Sequence, residues 1–201
     1  MHKVLICGDS FAANWQVKYP NQKGWPNLLA DKYSVTNIAQ AAVSEYKILQ
    51  QVKSIDLNRF DTVIISHASP NRIHCVTHPI HANNILHKDS DLIYNDLLAH
   101  DDPDCELAVK FFERYFEMNY YQDICDLICQ QILNILGEYN HLNQIHLVNI
   151  NKKQLYDFLP SYDINRIFTK YRGGPDAMNH LTDQGNQVML AQIEKLMADQ
   201  Q

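Results

Sequence analysis

Residues 4–15 read VLICGDSFAANW. The apolar run Val4–Cys7 stops abruptly at Gly8-Asp9-Ser10. Gly, Asp and Ser are the usual punctuation after a strand, so a plain turn is one reading. The other is a buried strand that carries an acid and a hydroxyl to the edge of a sheet. The rest of the chain discriminates between them.

His2–Gly8 reads as a buried strand, and Gly24–Lys32 as a short helix with Pro26 near its first turn. In Tyr33–Ala39, Val35, Asn37 and Ala39 alternate, which predicts a second strand. Ser44 stands as an N-cap before Glu45–Ile55, where Ile48, Leu49, Val52 and Ile55 recur at helical spacing. Asp61–Ser66 (DTVIIS) is rich in β-branched residues and reads as a fully buried strand. Strands alternating with helices predict an α/β fold with a parallel sheet, whose ligands gather beyond the carboxyl ends of the strands. Ser10 follows the first strand and Ser69–Arg72 follows the third, so both belong to that edge.

Residues 73–103 are irregular and rich in histidine, with a helix expected around Asp91–Ala99. They read as a long loop or insertion. Asp104–Phe116 and Tyr120–Glu138 follow as helices, the second with Ile124, Ile128, Ile132 and Ile135 on one face. Gln144–Ile150 reads as the next strand and Ile164–Tyr171 as a short helix. Gly173-Gly174-Pro175 breaks the chain before an amphipathic helix, Thr182–Ala198.

The chain has 201 residues, enough for one well-buried domain and short for two. Its net charge of −6 argues against a broad electrostatic hold on nucleic acid. No run approaches the roughly 20 apolar residues that span a bilayer. The N-terminal apolar run is too short for a signal-peptide core. The five cysteines include no Cys-x-x-Cys pair. A cytoplasmic location with reduced thiols is the expectation.

Two distant segments, GDSF at residues 8–11 and NHLTDQG at residues 179–185, resemble the first and last motif blocks of the SGNH, or GDSL-type, hydrolase and acyltransferase superfamily. The resemblance implies one domain over residues 1–201. Its fold would be a three-layer α/β/α, flavodoxin-like parallel sheet of four to five strands, with an insertion around 73–103. It also implies that Ser10 is a nucleophile and His180 its general base. A serine hydroxyl is a poor nucleophile until a base takes its proton, and histidine titrates in the range where it can take and return one.

Three positions depart from the family pattern. NIAQAAVSEY resembles the second block, and the glycine whose N–H helps form the oxyanion hole falls on Ala42. The third block, usually Gly-x-Asn-Asp, corresponds to Ser69-Pro70-Asn71-Arg72. The hole would therefore comprise Ser10, Ala42 and Asn71, with Arg72 suited to a negatively charged substrate group. The acid expected three residues before the histidine falls on Ala177. Asp176 is the nearest substitute, Asp183 is a weaker one, and a Ser–His dyad is the alternative. Asp9 is expected to support the site from behind, and His67 or His74 to line the pocket.

His74, His78 and His81 are spaced as one helical face, but Pro79 interrupts such a helix. No second Cys or His pair completes a zinc signature. The expectation is no metal and no cofactor. The implied activity is acyl transfer through an acyl-serine. It would be hydrolysis of a small-molecule or carbohydrate ester, or O-acyl transfer to a glycan or glycan precursor. A degenerate site that binds ligand without turnover is the competing reading. A phosphate or flavin binder ranks last, because no glycine-rich phosphate loop follows the first strand.

Overall fold

The computed structural model describes residues 1–148, 161–174 and 177–200. Its strands are β1 (Lys3–Gly8), β2 (Ser34–Asn37), β3 (Thr62–Ser66), β4 (Arg72–Ile73), β5 (Leu92–Ile93), β6 (Asn143–Val148) and β7 (Ser161–Asp163). Its helices are α1 (Trp25–Ala30), α2 (Glu45–Lys53), α3 (Tyr94–Leu97), α4 (Pro103–Tyr115), α5 (Met118–Gly137), α6 (Asn165–Tyr171) and α7 (Asp183–Ala198). Five strands pair in parallel in the order β2-β1-β3-β6-β7, with Gly8 registered on Ser66 and Ser66 on Leu147.

Alternation along the central strands builds the three layers. Val4 and Ile6 on β1 and Ile64 on β3 pack with Leu29, Met189 and Ile193 of α1 and α7. Leu5 and Cys7 on β1 and Val63 and Ile65 on β3 turn the other way, against Ile48, Leu49, Ile132 and Leu136 of α2 and α5. Period-2 side chains buried on both faces are what a central parallel strand requires. The apolar faces of α5 and α7 are thus both taken up by the sheet. Burial also pushes the Cys7 thiol far above its ordinary range.

The expected α/β/α architecture is the one observed. β7 had no sequence signal, being three residues long with a polar residue at each end. The predicted strand Gln144–Ile150 corresponds to β6, its last two residues lying outside the described ones. The insertion is drawn together by the antiparallel pair β4–β5, with Arg72 opposite Ile93. No helix among the described residues is long and apolar enough to cross a membrane.

Candidate active site

The turn after β1 is held by side chains from five other places. Gly8 has φ +147°, and a Cβ there would lie 2.6 Å from the Ser66 carbonyl oxygen. Only glycine fits so close an approach to β3. The Gln51 carboxamide brackets it, accepting from the Gly8 N–H at 2.7 Å and donating to its carbonyl at 3.2 Å. Beyond it, the carbonyls of residues 10–13 each receive a side-chain donor. Trp15 Nε1 donates to Ser10, Trp25 Nε1 to Phe11, Asn37 Nδ2 to Ala12 and Asn179 Nδ2 to Ala13, at 2.7–3.0 Å. The turn that presents Ser10 is therefore rigid.

Asp9 sits beneath it, fully buried. One carboxylate oxygen accepts from Ser66 Oγ at 3.0 Å and from the Phe11 N–H at 3.1 Å. The other accepts from Arg72 Nη2 at 3.0 Å. The second guanidinium arm donates to the Val43 carbonyl.

His180 arrives from the far end of the chain, on a short turn, Met178–His180, ahead of α7. Asn179 and His180 both have left-handed backbones, φ 52° and 62°. Asn186 on α7 fixes that turn by donating to the carbonyls of Met178, Leu181 and Thr182, while its carboxamide oxygen accepts from the Trp25 N–H. Thr182 caps α7, its hydroxyl accepting from the Gly185 N–H. His180 Nε2 lies 2.9 Å from Ser10 Oγ. The ring is held against Phe11 (centroids 4.7 Å apart) and Trp15 (5.6 Å). Asp176 lies outside the described residues, and among those described no carboxylate meets Nδ1. Asp183 is exposed at the start of α7.

Burial lowers the His180 pKa. Nearby Asp9 pulls it back up, and the positive charges of Arg72 and Arg172 push it down. The imidazole is thus biased toward its neutral, proton-accepting form.

Ala42 borders the same cavity with φ 61°, the left-handed conformation for which the family pattern keeps glycine. The insertion holds it there. Asp91 N–H donates to the Ala42 carbonyl at 3.0 Å, and the Asp91 carboxylate accepts from the Ser44 N–H at 2.7 Å. Strain at a single residue persists when its surroundings over-determine it in this way. Neither the Ser10 N–H nor the Ala42 N–H has an acceptor among the described residues. Both are free to receive an oxyanion.

Two expected residues are elsewhere. Asn71 is exposed and lines a separate cleft with Phe112 and Phe116. The chain turns at Pro70-Asn71, and it is Arg72, the first residue of β4, that reaches the site. His67 is fully buried between Glu45 (Nδ1 to Oε1, 2.6 Å) and His146 (Nε2 to Nδ1, 2.9 Å). Alternation past the end of β3 explains this: Ser66 faces Asp9, so His67 points to the α2/α5 side. His74 bonds Asp91 at 3.2 Å and rests on Tyr46. Sequence reasoning had no signal for Gln51, Asn186 or Asp91, whose roles depend on partners distant in the chain.

The cavity around Ser10 and His180 measures about 520 Å³. Arg72 and Arg172 border it, as do Trp15, Phe168 and, from the insertion, His81 and Asp96.

No family model matches the chain, and no curated protein matches it. Among solved structures, the chain is similar to a protein of the lipolytic G-D-S-L family from Desulfitobacterium hafniense. The identity is 13%, the TM-score 0.51, and the match covers 98% of this chain and 99% of that one. An extracellular lipase from Streptomyces rimosus matches at 12% identity over all of this chain and 76% of that one. Its TM-score is 0.38. The likeness is one of architecture: the chain has the SGNH, or GDSL-type, hydrolase fold.

Proposed function

We propose that the protein is a serine-dependent ester hydrolase that works through an acyl-serine. The observation that carries this reading is the 2.9 Å contact of His180 Nε2 with Ser10 Oγ, between residues 170 positions apart. In this mechanism His180 Nε2 takes the Ser10 proton as Oγ attacks the acyl carbon. The charge on the acyl oxygen is received by the N–H groups of Ser10 and Ala42, donors fixed before the substrate arrives. The intermediate collapses, and His180 returns the proton to the departing alcohol. A water molecule, deprotonated by His180, then releases the acid.

The imidazole is oriented by the packing of Phe11 and Trp15 and by the Asn179–His180 turn. Arg72, expected to meet the substrate, is instead spent on Asp9 and the Val43 carbonyl, which leaves Arg172 to favour a substrate with an anionic group near the scissile ester, a small acidic ester or an acidic sugar ester. Transfer of the same acyl group to a glycan hydroxyl shares the first half-reaction.

The test is labelling by a fluorophosphonate probe, read by intact mass and peptide mapping. Wild type should be labelled at Ser10. Ser10→Ala should be unlabelled and His180→Ala labelled far more slowly. Folded wild-type protein that resists the probe while retaining native melting would defeat the reading in favour of a binding protein.

A further inference from the structure

Outside the Ser10–His180 pair, the insertion assembles a second group of chemistry-bearing side chains, two of which, His81 and Asp96, line the same cavity. His81 Nε2 lies 2.9 Å from Asp96 Oδ2, and His78 Nε2 lies 3.6 Å from the same oxygen. The two imidazoles are stacked, with centroids 4.5 Å apart. One potential ligand atom from each of the three residues falls within 4.8 Å of the others.

We propose that His78, His81 and Asp96 bind a divalent transition-metal ion of the zinc class, with its remaining coordination positions facing the cavity.

Two observations support this. Around a tetrahedral ion with bonds of about 2.0–2.1 Å, ligand atoms stand roughly 3.3 Å apart, so separations of 2.9 and 3.6 Å need only small adjustments. His78 is 1% exposed, and its Nε2 has no hydrogen-bond partner among the described residues. An orphaned buried imidazole nitrogen aimed at a carboxylate calls for an explanation, and a metal ion supplies one. Ligation through Nε2 moves the ring proton to Nδ1 and gives up the contact with the Ile80 N–H, which at 3.4 Å is a marginal hydrogen bond.

Two imidazoles and one carboxylate favour zinc-class ions over magnesium or calcium, which prefer all-oxygen shells. Three protein ligands with open positions are the pattern of sites that take a water or a substrate oxygen. His81 and Asp96 border the same cavity as Ser10. The ligand of the open position is therefore an oxygen of whatever occupies that cavity. Pro79 does not prevent the assembly, because His78 precedes, and His81 lies within, a turn that starts at Pro79, and neither needs a helix.

Metal-stripped full-length protein titrated with ZnCl2 by calorimetry is expected to take up one ion per chain. Substituted Co2+ should show a nitrogen–oxygen ligand spectrum. Asp96→Asn and His78→Gln should each weaken Zn2+ by more than the roughly 10–100-fold that loss of an outer-shell partner costs. Ser10→Ala should bind like wild type. Should a variant fold poorly by circular dichroism, 15N-histidine spectra of the wild type replace it, and Zn2+ must shift the His78 and His81 ring nitrogens. The proposal is overturned by no stoichiometric uptake, or by folded variants that bind like wild type. Thiolate-to-cobalt charge transfer would also overturn it, by placing the ion at the buried Glu45, Cys125 and Cys129 group instead. None of these readouts depends on acyl chemistry, so the fluorophosphonate result and the metal result fail separately.

Discussion

Arg72 and Asp9 form a buried ion pair directly beneath the Ser10 turn, Nη2 to Oδ2 at 3.0 Å, with the aspartate fully shielded from solvent. Removing one partner of such a pair leaves the other charge uncompensated, which costs roughly 3–5 kcal/mol. Asp9 keeps its bonds from Ser66 and Phe11, so Arg72→Ala should cost about 3 kcal/mol, the low end of that range. Arg72→Met combined with Asp9→Asn should lose less than the sum of the singles. Urea denaturation of wild type, Arg72→Ala, the Arg72→Met and Asp9→Asn singles and their double measures both. Additive losses would show that the pair is not energetically coupled.

Ala42 holds a left-handed backbone at φ 61°. Such a conformation costs an L-residue roughly 1–2 kcal/mol, and the extra unfolded-state freedom of glycine offsets part of any relief. Ala42→Gly should therefore be stabilising by up to about 1 kcal/mol, with esterase activity kept because the N–H remains. Ala42→Val should be clearly destabilising, since β-branched side chains tolerate positive φ worst. Thermal melts of the two variants give opposite signs if the backbone is as described.

His180 has its pKa lowered, first by burial. In the proposed mechanism the neutral form is the base, so activity should persist below pH 6.5, the ordinary histidine value, and fall only as His180 gains its proton. Arg172→Gln removes a positive charge that pushes this pKa down, so its acidic limb should move to higher pH. A pH profile of kcat/KM on an activated ester reads both. An unmoved limb in Arg172→Gln would separate the limb from His180.

His146 is buried against His67, and its pKa is lowered to about 3, burial being the larger cause. Its folded value lies below its unfolded value of 6.5. As pH falls from 6.5 towards 3, the unfolded chain therefore binds a proton that the folded chain refuses, and stability drops through that window. Melting temperature should fall with pH more steeply in wild type than in His146→Gln.

The central strands and the Ser10–His180 contact were both accessible from the sequence because each is written locally. DTVIIS is a run of β-branched residues, and GDSF and NHLTDQG are short motifs. What escaped was set by direction and by distant partners. Asn71 and Arg72 are neighbours, yet only Arg72 points into the site, and a motif aligned by position cannot tell which. His67 looked like a pocket residue because it follows a strand, but alternation past β3 turns it into the α2/α5 layer. The three spaced histidines suggested a helical face, whereas the fold separates them. His74 goes to Asp91, and His78 and His81 go to Asp96. Neither acid was predictable as a partner, since each meets its histidine only through a loop closed by β4 and β5.

The turn bearing His180 is pinned by Asn186 on α7, while the turn bearing Ser10 is finished by Trp25 and Asn37 near the other end of the chain. During synthesis the hydroxyl is made early and waits, unactivated, while some 170 residues follow it. Only when α7 has left the ribosome and docked on the sheet can the imidazole reach it. Under the proposed mechanism, reactivity at Ser10 is then a late event in the life of the chain, and an unfinished or truncated product would carry an inert serine.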